Sequence, residues 1–395
     1  MSPFWKKILT ALGLGRRSRA ATKTGTGSLQ PLVAPVAPVA PVAAKTAHTP
    51  GGDIADPQVP GPAPVAPPVD DRPGRFEQSS FTGPAGTRFF KLFEPAGDPG
   101  RALPMVVMLH GCTQDPDDFA AGTRMNVLAG ELGWFVLYPA QSQRANVNRC
   151  WNWFSPGNQH RGQGEPALIA GITRHVIETH RIDPDRVFVA GLSAGAAMAA
   201  ILGREYPDLY AAVGIHSGLA AGAAHDMVSA FAAMKNGARP GASPAWPVPA
   251  TGADPAPVAS ASAPVIVFHG DADQTVNVAN GSFAIDAALG STASWQARRE
   301  SGSGSGEQGH AFTRVVYRAE DAPAAAPSRA EHWLVHGGGH AWFGGDRRGS
   351  YADASGPDAS REMLRFFAEH TRLQRSHGVA GNNAHATTIE NVSRS

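Results

Sequence analysis

Short, continuous apolar runs alternate along this chain with longer stretches in which apolar residues recur at helical spacing. Met105-Val106-Val107-Met108-Leu109, Trp134-Phe135-Val136-Leu137-Tyr138, Val187-Phe188-Val189-Ala190, residues 211–216 and Pro264-Val265-Ile266-Val267-Phe268 are of strand length and apolar throughout. Such runs suit strands that are covered on both faces, as in a parallel sheet. Residues 119–132 and 168–180 read as helices between them, the second from Ile169, Ile172 and Val176, with Pro184 ending it before the next strand. An extended stretch at residues 89–93 precedes the series, strands at 312–318 and 332–335 close it, and an amphipathic helix over 359–370 follows. Strand, helix, strand, helix is the alternation of a doubly wound α/β fold with a mostly parallel sheet.

Composition trims the ordered part of the 395-residue chain. The 33 prolines cluster in the first 75 residues and again around 237–263. Val-Ala-Pro repeats over residues 31–42 favour an extended polyproline II spacer. Residues 1–74 therefore read as a disordered basic and Pro-rich segment, 75–372 as the folded domain with a low-complexity insertion at 237–263, and 373–395 as a disordered tail. The net charge of +1 gives no reason to expect a nucleic-acid partner. Locally, Lys6, Lys7, Arg16, Arg17, Arg19 and Lys23 surround Phe4, Trp5, Ile8, Leu9 and Leu12. Residues 1–25 thus read as an export signal, an interfacial anchor touching a membrane surface, or a plain tail.

The chemistry centres on Gly191-Leu192-Ser193-Ala194-Gly195, set between an apolar strand and a run of helix formers. That context is the one a nucleophile elbow requires, with a serine hydroxyl exposed at a sharp strand-to-helix turn. Serine needs a base, and the base an orienting carboxylate, in the chain order Ser, acid, His. Asp273, in His269-Gly270-Asp271-Ala272-Asp273, and His340, in Gly337-Gly338-Gly339-His340-Ala341-Trp342, each follow a strand and satisfy that order. Asp271 competes with Asp273, and His310, His332 and His336 compete with His340. His110-Gly111-Cys112-Thr113-Gln114 follows the 105–109 strand, which assigns an oxyanion hole to the N–H groups of Cys112 and Ala194.

Cys112 and Cys150 are the only cysteines, either joined in one disulfide or present as two reduced thiols. Two thiols cannot build a four-ligand structural metal site, and no metal or organic cofactor is implied. Trp151, Trp153 and Trp342 either line an apolar cleft for substrate or belong to the core.

Five blocks in order carry a family resemblance: Leu109-His110-Gly111-Cys112-Thr113-Gln114, Cys150-Trp151-Asn152-Trp153-Phe154, residues 183–195 around Ser193, His269-Gly270-Asp271-Ala272-Asp273 and Gly339-His340-Ala341-Trp342. Over roughly residues 76–370 the chain resembles the polyhydroxybutyrate depolymerase family of esterases. The resemblance implies an α/β-hydrolase fold, Ser193, Asp273 and His340 as catalytic triad, and a secreted enzyme acting on short-chain polyesters or related carboxylic esters. No protein partner is implied. No separate polymer-binding module is read after the catalytic region, so soluble esters or oligomers are expected over insoluble polymer. The rival readings are a feruloyl or acetylxylan type of carbohydrate esterase and an inactive, surface-attached binding module.

Overall fold

A computed structural model describes residues 74–97, 100–238, 262–290, 294–304, 309–323 and 325–372. The expectations for the basic segment, for nearly all of the 237–263 insertion and for the tail lie outside these residues. Ten strands form one sheet: β1 (Gly74–Gly83), β2 (Gly86–Pro95), β3 (Leu103–Leu109), β4 (Phe135–Pro139), β5 (Ile182–Leu192), β6 (Val213–His216), β7 (Val265–Gly270), β8 (Trp295–Ser303), β9 (Ala311–Ala319) and β10 (Ala330–Val335). Their order is β1-β2-β4-β3-β5-β6-β7-β10-β9-β8. The six central strands from β4 to β10 pair in parallel, whereas β1, β2, β8 and β9 add antiparallel margins. Strands β11 (Trp342–Phe343) and β12 (Ala352–Asp353) form a separate small pair.

Alternation along the central strands sorts their side chains between two cores. Met105, Val107 and Leu109 of β3, with Val187 and Val189 of β5, pack beneath α3 (Gly164–Thr179), α4 (Ala194–Glu205), α5 (Met227–Asn236) and α6 (Ala279–Leu289). Val106, Met108, Phe188 and Ala190 face α1 (Pro116–Thr123), α2 (Met125–Leu132) and α7 (Ala359–Ala368). Both faces are thus dry, which is why these strands carry no polar alternation.

Three local readings change. The helix expected over 119–132 is two helices, because Arg124 adopts a left-handed conformation (φ 55°) that ends α1 and starts α2. Pro184 lies inside β5 rather than before it. A register shift against β3 between Leu103 and Met105 leaves Asp183–Arg186 bulged there, where a missing N–H costs no ladder bond. The edge strands β1 and β8 carry no apolar run, since each pairs on one side only and exposes most of its residues.

Candidate active site

The parallel strands deliver the candidate residues to one edge of the sheet. Ser193 follows β5, the acidic loop follows β7, and the histidine loop follows β10, all at carboxyl ends, where open α/β sheets bind ligands. Ser193 has φ 57° and ψ −117°, a strained conformation for a residue with a side chain, and is 5% exposed. The flanking glycines permit it. A Cβ on Gly195 would meet the carbonyl oxygen of Leu109 at 2.0 Å, and one on Gly191 would meet the Gly195 carbonyl carbon at 2.4 Å. Strand, elbow and helix touch backbone to backbone, so only glycine fits on either side of the serine.

The Asp273 side chain is fully buried. Its Oδ2 accepts from His340 Nδ1 at 2.7 Å, and its Oδ1 accepts from the N–H groups of Thr275 and Val276 at 2.8 and 2.9 Å. His269 stands behind it, with Nε2 3.6 Å from Oδ2 and donating to Val276 O at 3.0 Å. Burial alone pushes the Asp273 carboxyl up, but the bond and charge of His340, with His269 and the Val276 N–H, hold it below the usual carboxylate range. An ionised carboxylate at Nδ1 fixes the tautomer in which His340 Nε2 is free to take a proton. No hydrogen bond joins Ser193 Oγ to His340 among the described residues; candidate catalytic bonds are often long before substrate binds.

The competing residues have other partners. Asp271 accepts from His336 Nδ1 at 2.9 Å and from the Gly337 N–H at 2.7 Å, so it clamps the start of the histidine loop. His310 pairs with Asp353 at 3.1 Å, and His332 lies half-buried within β10. The N–H groups of Cys112 and Ala194 donate to no acceptor among the described residues, whereas Gly111 N–H is taken by Gln114 Oε1 at 3.0 Å and Thr113 N–H by Asn148 O at 2.6 Å. Buried His110 accepts the Gln141 N–H at Nε2 and donates from Nδ1 to Gly111 O, and burial pushes its pKa down to about 4. A neutral imidazole thereby fixes the strand end that carries Cys112.

A disulfide joins Cys112 to Cys150. Beyond it, Glu165 at the start of α3 accepts from Asn152 N–H, Asn152 Nδ2 and Gln141 Nε2, tying down the 141–152 loop. Of the two readings of the tryptophans, their packing fits the core one: Trp151 and Trp342 are 0% and 1% exposed and Trp153 5%, and all three pack within the core clusters. Sequence reading missed Tyr351, whose ring meets His340 edge-on at 6.5 Å and whose hydroxyl lies 3.5 Å from Thr113 Oγ1. No helical or strand pattern marks it, because it sits in a loop at φ 52°.

A family model described as esterase PHB depolymerase matches residues 89–299, more than half of the chain and spanning β2 to β8. The chain belongs to this esterase family. It is 38% identical over 204 residues to poly(3-hydroxyalkanoate) depolymerase C of Paucimonas lemoignei, a match covering 50% of this chain and 47% of that protein. It is 32% identical over 128 residues to feruloyl esterase B of Thermothelomyces thermophilus, covering 32% and 43%. The matches thus span less than half the length of these two relatives. Among solved structures, an acetyl xylan esterase from Aspergillus awamori superposes with a TM-score of 0.52 at 18% identity, over 75% of this chain and 99% of that one. That likeness, with the sheet order, places the PHB depolymerase-family chain in the α/β-hydrolase fold. No helix among the described residues is long and apolar enough to cross a membrane.

Proposed function

We propose that this chain is a serine esterase that hydrolyses short-chain hydroxyalkanoate esters through an acyl-enzyme. The observation that carries the reading is the buried Asp273–His340 pair at the sheet edge where the strained Ser193 elbow ends. His340 Nε2 takes the Ser193 proton as Oγ attacks the ester carbonyl, and the N–H groups of Cys112 and Ala194 hold the developing oxyanion. His340 then returns the proton to the leaving alcohol and activates the water that deacylates Ser193. Identity to the Paucimonas depolymerase supports a hydroxyalkanoate acyl group, as oligomer or polymer. The Cys112–Cys150 disulfide supports an oxidising, extracellular setting.

Initial rates of the wild type and Ser193→Ala on p-nitrophenyl butyrate, soluble 3-hydroxybutyrate oligomers, amorphous polyhydroxybutyrate film and methyl ferulate test this. Turnover of hydroxybutyrate esters that disappears in Ser193→Ala is expected. No Ser193-dependent turnover on any ester would sink the esterase mechanism. The match to a feruloyl esterase favours a second reading, hydrolysis of plant-polymer esters, which preference for methyl ferulate would select.

A further inference from the structure

His216, the last residue of β6, lies between the two halves of the candidate site and has no part in the proton transfers. Its carbonyl oxygen accepts the Ser193 N–H at 2.9 Å, so its backbone holds the elbow. Its ring, completely buried, reaches the other way: Nε2 accepts the Phe343 N–H at 3.1 Å, three residues beyond His340. The same ring stacks on Trp342 with centroids 4.8 Å apart and planes 21° from parallel, and on Phe268 at 5.7 Å and 8°. Nδ1 faces Ser217 Oγ at 3.3 Å, which leaves the proton on Nδ1 and the lone pair on Nε2 for Phe343.

We infer that His216 is a positioning residue that sets the separation between Ser193 and His340, its backbone anchoring the elbow and its ring anchoring the histidine loop. The residue type follows from geometry. The site needs a flat face to fill the space between Phe268 and Trp342 and an in-plane acceptor for a buried N–H. Phenylalanine supplies the first and glutamine the second; neutral histidine supplies both. Phe343 is itself 0% exposed, so without the acceptor its N–H stays buried and unpaired, and the loop shifts to satisfy it. Burial also keeps the ring neutral, which preserves the acceptor. Displacement of a reacting group by about 1 Å is enough to cost on the order of 100-fold in rate.

The inference rests on the serine-esterase reading, and the test separates the two. His216→Phe and His216→Gln are assayed on p-nitrophenyl butyrate beside wild type and Ser193→Ala, with melting temperature recorded for each. The downfield proton resonance of the His340–Asp273 bond is followed in parallel, assigned by its absence from His340→Gln. In His216→Phe we expect kcat to fall by at least about tenfold with KM changed less than about twofold. The resonance should move or broaden, and His216→Gln should keep it and regain most of the rate. Turnover independent of Ser193 would overturn the esterase reading, while the resonance would still report where the loop sits. A folded His216→Phe with an unmoved resonance and kcat within about twofold of wild type would overturn the role of His216. Should His216→Phe not fold, the smaller, acceptor-free His216→Leu decides on the same readouts: a moved resonance with kcat lowered at least about tenfold supports the role, and an unmoved one with kcat within about twofold of wild type overturns it.

Discussion

His340 Nδ1 donates to Asp273 Oδ2 at 2.7 Å, while Asp271, two residues earlier, turns away to His336 and the Gly337 N–H. Two carboxylates on one loop thus serve two histidines. Asp273→Asn would preserve the shape of the first pair but offer an amide N–H to Nδ1, selecting the wrong tautomer. A kcat loss of about 10³- to 10⁴-fold is expected, with little change in fold. Asp271→Asn, which only loosens the loop, should cost less than about tenfold. Steady-state rates of both variants on one soluble ester measure this, and equal losses would contradict the division of roles.

Four buried histidines and the half-buried His332 have pKa values pushed down by desolvation: His110 and His332 to about 4, with His216, His269 and His370 shifted in the same direction. The unfolded chain binds protons at these positions below about pH 6.5 and the folded one resists, so stability is complete above that pH and is lost as pH falls. His110 and His332 each account for on the order of 1 to 3 kcal/mol across the window down to pH 4. Glu165, whose pKa burial raises, works in the opposite sense in the lower part of the window. The melting temperature should therefore decline between about pH 6.5 and 4.5, ahead of most carboxylate titration. A melting temperature constant down to pH 5 would show that these rings are not held neutral.

The legible parts of the sequence are those fixed by backbone packing. The central strands announce themselves because both faces are dry, and the elbow because its glycines touch Leu109 and each other. Asp273 and His340 could be placed by chain order, since parallel strands deliver successive loops to one edge. What sequence conceals is contact across those loops. Whether Asp271 or Asp273 meets His340 depends on two residues of turn, and His216 reads as an ordinary strand end until Phe343 is seen to bind its ring. The tryptophans stay open for a similar reason: an aromatic cluster in a loop suits ligand or core equally, and only the structure shows Trp342 buried and donating from Nε1 to Ser360 Oγ.

Gly195 carries the most specific steric prediction. A methyl group there meets Leu109 O at 2.0 Å and His110 O at 2.6 Å, both backbone atoms of the strand that leads to Cys112. Neither can move without displacing the Cys112 N–H that we propose as an oxyanion donor. Gly195→Ala should lower stability by about 3 kcal/mol or more and remove esterase activity in whatever protein remains folded. Denaturant titration and activity per folded molecule, taken together, check both halves.

The disulfide links the Cys112 N–H to the loop that Glu165 secures. Its 38-residue separation corresponds to about 4 kcal/mol of loop-closure entropy in the unfolded chain. A Cys112→Ala/Cys150→Ala double variant should thus be less stable by an amount of that order. The loss should extend beyond stability. Thr113 N–H still binds Asn148 O and His110 still binds the Gln141 N–H, so the strand end keeps two of its ties and the proposed oxyanion donor is loosened rather than released. Removing one such donor outright costs about 10²- to 10³-fold in kcat, so a loss nearer tenfold is expected here. KM should change little, because in the proposed mechanism the N–H acts on the developing oxyanion and not on the bound ester. Measuring kcat well below the melting temperature, with folded fraction fixed by circular dichroism, separates the two effects. A double variant with lowered melting temperature and wild-type kcat would confine the disulfide to stability and show that the Thr113–Asn148 and His110–Gln141 bonds suffice to hold Cys112 in place.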